Sequence, residues 1–114
     1  MSNREILKQL DLILEARKTE SPDSSYVASL YHKGVEKILK KVGEESNETI
    51  MAAKDLEHRP TPENKEHLVY EIADLWFHTM VLLASQNLSS EDVTNELQRR
   101  FGLSGHDEKA SRES

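Results

Sequence analysis

The chain is predicted to be all-α, a bundle of four main helices completed by a second copy of itself. Three observations carry this. Apolar residues recur at helical intervals over most of the 114 positions, no stretch alternates with the period of a strand, and no repeat is present. One segment, "LVYEIADLWFHTMVLL", has twelve apolar residues in sixteen, and they face every direction, as in a central, buried helix.

The elements follow in order. Ser2 and Glu5 have capping-box spacing, and Ile6, Leu7, Leu10, Ile13 and Leu14 share a face, so a helix is expected over 3–18. "TESPDSS" then breaks the pattern, and Ser24 or Ser25 can cap a brief helix over 26–33 that ends at Gly34. Val35, Ile38, Leu39, Val42, Ile50, Ala53 and Leu56 define the next helix, with Gly43 inside it as the place for a kink or a close approach. Thr61 and Pro62 read as N-cap and first position of the long apolar helix over 62–86. Asn87 ends that helix, and Ser89 with Asp92 caps a last one over 90–100. Residues 1–101 thus form one domain, and 102–114, rich in charge and poor in apolar residues, are expected to be a disordered tail.

Composition narrows the chemistry. With no cysteine, disulfides, thiolate catalysis and cysteine-ligated metals are excluded, so any metal must use oxygen or imidazole. A net charge of −6 without a basic stripe argues against nucleic acid as a partner. No uncharged apolar run of membrane length and no signal-like N-terminus is present, so no membrane partner and a cytoplasmic location are expected.

Within the apolar helix Glu71, Asp74 and His78 fall in a stripe roughly 60° wide. Buried carboxylates are costly unless something positive sits against them. In the preceding helix Glu44, Glu45 and Glu48 share a sector roughly 100° wide, with Lys37 and Lys41 in it. For "EESNE" alone the ordinary reading is a solvated face, because charge clusters usually mark exposure. If the two helices pack antiparallel, however, the acidic stripes meet, and four or five carboxylates make a pocket for hard dications. Magnesium (Mg2+) is the expected occupant, with more than one ion plausible. Lys37, Lys41 and Lys54 either bind phosphates or pair with nearby glutamates. His78 either joins the metal shell, orients a carboxylate or is a hydrogen-bonded core residue, and Trp76, Phe77 and Met80 are core. The other four histidines show no ligand spacing.

At these residues the chain resembles the phosphoribosyl-ATP pyrophosphohydrolase family, within the all-α nucleoside triphosphate pyrophosphohydrolases that include MazG-like proteins. The likeness runs from about Ser25 to Phe101. Its acids are Glu45, Glu48, Glu71 and Asp74, and its wording is "KILKKVGEE", "ETIMAAK" and "LVYEIADLWFH". The resemblance implies magnesium-dependent hydrolysis of the α/β phosphoanhydride of phosphoribosyl-ATP to phosphoribosyl-AMP and pyrophosphate, the second step of histidine biosynthesis. It implies a homodimer, magnesium on Glu45, Glu48, Glu71 and Asp74, Glu44 beside the metal or positioning water, and Lys37 and Lys41 steadying phosphates; no general base is assigned. It also implies the stand-alone form, since a fused cyclohydrolase would bring cysteine-bound zinc. The alternatives are a house-cleaning enzyme acting on other nucleoside triphosphates and a non-enzymatic dimeric helical interaction protein whose acids bridge an interface.

Overall fold

The computed structural model describes residues 5–102 and contains five α-helices and no strand among them. They are α1 (Ile6–Ala16), α2 (Tyr26–Lys33), α3 (Val35–His58), α4 (Pro62–Ser85) and α5 (Ser90–Phe101), with a 3₁₀ turn at Arg17–Thr19. The Ser2 cap and nearly all of the expected tail lie outside the described residues; α1 begins after Glu5, whose side chain makes no cap.

The local signals act as their chemistry demands. Ser25 accepts a hydrogen bond from the Ala28 amide, and Thr61 accepts one from Asn64 with Pro62 in the first turn. The Ser89 amide donates to Asp92 Oδ2 at 2.9 Å. Asn87, at φ 61°, closes α4: its amide reaches Ala84 O and the Leu88 amide reaches Leu83 O, the paired bonds that satisfy a helix's last carbonyls. Gly34 joins α2 to α3 at φ 97° and ψ 172°, a backbone region open in practice to glycine alone. Gly43 neither breaks α3 nor receives a neighbour, since nothing lies within 4 Å of the place a Cβ would take.

The core gathers Leu14, Val27, Leu30, Ile38, Met80, Val81 and Ala84, with Leu7, Leu10, Tyr31, Phe77 and Leu82 packed against it. It therefore lies between α1, α2, the first turns of α3 and the second half of α4. Asp11 of α1 fastens α5 by accepting from the Ser90 amide at 3.0 Å and from the Ser90 hydroxyl. Tyr31 donates to Leu14 O at 2.9 Å, and burial pushes its hydroxyl up to about 12.

One expectation needs correction. The sequence reads α4 as buried on every side and Trp76 as core, yet Val69, Tyr70 and Trp76 are 67, 63 and 59 % exposed. The buried residues of α4 are Glu71, His78, Met80, Val81 and Ala84. An all-round apolar helix needs neighbours all round, and one chain supplies them only along part of α4. Ile50 and Met51 of α3 are likewise more than half exposed, so the loop-proximal half of the α3/α4 hairpin packs mainly on itself.

Candidate metal centre

Three residues, Arg59–Thr61, connect α3 to α4, which forces the two helices to run back antiparallel. Thr49 bridges them, donating to Glu45 O at 2.8 Å and lying 3.4 Å from Glu71 O. This pairing brings Glu45, the buried acid of α3, against Glu71 and Asp74 of α4.

Glu45 and Glu71 are 5 and 6 % exposed, and one carboxylate oxygen from each of Glu45, Glu71 and Asp74 falls within 4.8 Å of the others. Oε2 of Glu45 and Oε2 of Glu71 are buried without a hydrogen-bond partner. Burial, then the charges of Glu48 and Asp74, push the Glu45 carboxyl up to about 6. Burial also raises Glu71, followed by Glu48, whose carboxyl is close enough to share a hydrogen with it. Both shifts have the sign of carboxylates whose burial and like-charged neighbours outweigh the nearby cations, Lys41 for Glu45 and His67 for Glu71.

The flanking cation is Lys41, whose Nζ lies 3.2 Å from Glu44 Oε2 and 3.7 Å from Glu45 Oε1. Its hydrogen bond to Glu44 lowers the Glu44 carboxyl and raises the lysine. Lys37, one turn earlier, adds its positive charge to the same glutamate. The structure thus brings Glu45, Glu48, Glu71 and Asp74 together, with Glu44, Lys41 and Lys37 along one edge. It does not bring in Lys54: that exposed residue lies about 180° round α3 from Glu45.

His78 is 5 % exposed and both its ring nitrogens are engaged, Nε2 with the Tyr26 hydroxyl and Nδ1 with Asp74 O, each at 2.9 Å. Nδ1 is 4.0 Å from Glu45 Oε1, too far for a hydrogen bond. The imidazole therefore braces α2 against α4. Sequence reading missed two neighbours. Tyr26 is 52 positions from its partner and leaves no local signal; partial desolvation of its hydroxyl, with the charges of Lys41, Glu45, Asp74 and Glu44 acting on it, raises its pKa. His67, whose Nε2 is 3.8 Å from Glu71 Oε1, stands four residues before an acid on the same helix, a spacing visible in the sequence but overlooked.

The donor set is carboxylate oxygen, two of its buried oxygens have nothing to accept from, and no arginine pairs with these acids among the described residues. Such a set suits a hard dication of the magnesium type, which tolerates a carboxylate or two and keeps waters for the rest.

Comparison with known proteins supplies the family. A family profile described as Phosphoribosyl-ATP pyrophosphohydrolase matches residues 7–101. A protein from Hydrogenovibrio crunogenus named "Phosphoribosyl-ATP pyrophosphatase" is 70% identical over 112 residues, covering 98% of this chain and 96% of the relative. One of the same name from Methylococcus capsulatus is 58% identical over 108 residues, covering 95% and 96%.

Proposed function

We propose how the site works from one premise: the chain belongs to the phosphoribosyl-ATP pyrophosphohydrolase family. Its activity is that of a phosphoribosyl-ATP pyrophosphatase of histidine biosynthesis, releasing pyrophosphate and leaving phosphoribosyl-AMP. The observation that carries the mechanism is the convergence of Glu45, Glu71 and Asp74 with two buried, partnerless oxygens.

Glu45, Glu71 and Asp74, with Glu48 beside them, would hold magnesium. When bound, magnesium offsets the carboxylates' repulsion and supplies Lewis-acid polarisation of the phosphoanhydride. The residues do the rest. Lys41, already held between Glu44 and Glu45, and Lys37 one turn away receive phosphate oxygens along the open edge, steadying the departing pyrophosphate. Glu44, kept anionic by Lys41, accepts a hydrogen bond from water and orients it. Burial of Glu45 and Glu71 keeps bulk water off the carboxylates, so their charge acts at low screening.

The working form is a cytoplasmic homodimer of single helical domains spanning 1–101. The uncovered side chains of Val69, Tyr70, Trp76, Ile50 and Met51 support this, because so many large apolar side chains on one hairpin gain from being covered by a second copy. Pyrophosphate release from phosphoribosyl-ATP, measured against a panel of nucleoside triphosphates with magnesium and then with chelator, tests the mechanism. Turnover of phosphoribosyl-ATP is expected with magnesium and none with chelator. Turnover that survives chelation overturns the metal mechanism, and preference for an ordinary triphosphate overturns the substrate.

A further inference from the structure

We propose that His67 and Glu71 form a mixed nitrogen and oxygen position for a first-row transition dication at the rim of the acidic cluster. The two residues sit one helical turn apart on α4, with Nε2 3.8 Å from Oε1. Glu71 is 6 % exposed and its second oxygen, Oε2, has no partner, so the carboxylate is a buried donor with unused capacity. The His67 side chain is 53 % exposed and its nearest described polar contact is Glu71, which leaves the ring open to an ion arriving from solvent.

The contrast with His78 decides which imidazole serves. His78 spends one nitrogen on Tyr26 and the other on the Asp74 carbonyl, so it has no lone pair to offer the cluster. Donors about 2.0–2.1 Å from one ion stand about 3.4 Å apart at the tetrahedral angle. The observed 3.8 Å closes to that with a small turn of a half-exposed ring. Imidazole nitrogen raises affinity for cobalt, nickel and zinc far more than for magnesium, which keeps to oxygen. The same pocket therefore has two binding modes: an all-carboxylate one for magnesium, and one using His67 that gives softer dications a stronger hold on Glu71.

This inference rests on the cluster being a cation site, and the test separates the two. Cobalt and magnesium are titrated separately into the full-length wild type and His67→Gln, with cobalt followed by its visible absorption and magnesium by calorimetry. Zinc is then added to protein carrying 15N-labelled histidine. Expected are a loss of cobalt affinity of at least about tenfold in His67→Gln with magnesium affinity unchanged, and a shift of the His67 ring nitrogen on adding zinc while His78 stays put. If neither ion binds the wild type, the underlying reading falls as well. If magnesium binds but cobalt affinity falls less than tenfold, or zinc moves other histidines and not His67, this inference alone is overturned.

Discussion

Glu45→Gln removes one charge from the cluster and leaves its shape, so it isolates the cost of burying that charge beside Glu48 and Asp74, less what Lys41 offsets. The carboxyl is raised from its ordinary 4.5 to about 6 in the folded chain. At neutral pH this corresponds to at most about 2 kcal/mol of destabilisation, and about 1 kcal/mol once water and counter-ions on the open side are allowed for. The pH window follows from the sign of the shift. A carboxyl with a raised folded value stays protonated in the native state where the unfolded chain has already lost its proton. The penalty is therefore absent below about pH 4.5 and complete above about pH 6. Melting followed by circular dichroism in chelator should show Glu45→Gln more stable than wild type by about 4–8 °C near pH 7.5, and equal to it near pH 4. Added magnesium should reverse the order, raising the wild type and moving the variant little. A variant that melts lower than wild type in chelator near pH 7.5 would refute the reasoning, because loss of an internal salt bridge predicts that result.

Other outcomes follow from the same geometry. Glu71→Gln and Asp74→Asn should each lower kcat by about 10²–10³-fold, with helical content and melting temperature in chelator retained; parallel loss of fold would favour a structural role. Lys41→Met should raise KM about tenfold, whereas Lys54→Met should change it less, as steady-state kinetics on the two variants will decide. Trp76→Glu, which puts charge on the uncovered side of α4, should shift sedimentation from dimer to monomer at micromolar concentration. Asp11→Ala removes both acceptors of Ser90 and should cost about 1–2 kcal/mol in urea unfolding, with α5 exchanging its amide hydrogens faster.

The parts of the fold read most directly from sequence are those governed by local chemistry. Ser25, Thr61 and Ser89 start helices, and Gly34 and Asn87 end them, because each satisfies or frees a backbone group within a few residues. The acidic pairing was also legible, since charges on an apolar helix demand a counterpart and a short loop supplies α3 as the nearest. What failed was the burial of α4. Hydrophobicity records that a side chain will be covered, and is silent on whether the cover is the same chain, so Trp76 reads as core and is found exposed. Lys54 stands apart from the cluster for a different reason: a lysine's charge suggests phosphate, but its helical phase turns it away from the acids. The Tyr26 to His78 bond joins elements with no local relation, and no periodicity announces it.

That the acids ride on a single hairpin has a kinetic consequence. The contacts that build the pocket lie within one hairpin, Thr49 and Glu71 standing 22 positions apart against 52 for Tyr26 and His78 and 79 for Asp11 and Ser90, so they are the cheaper in chain entropy to form. Closing that hairpin is expected early in refolding, and it is also the moment at which the carboxylates are first forced together. Acid or dissolved dications should accordingly hasten refolding, and a chelated chain at neutral pH should hesitate at its first step.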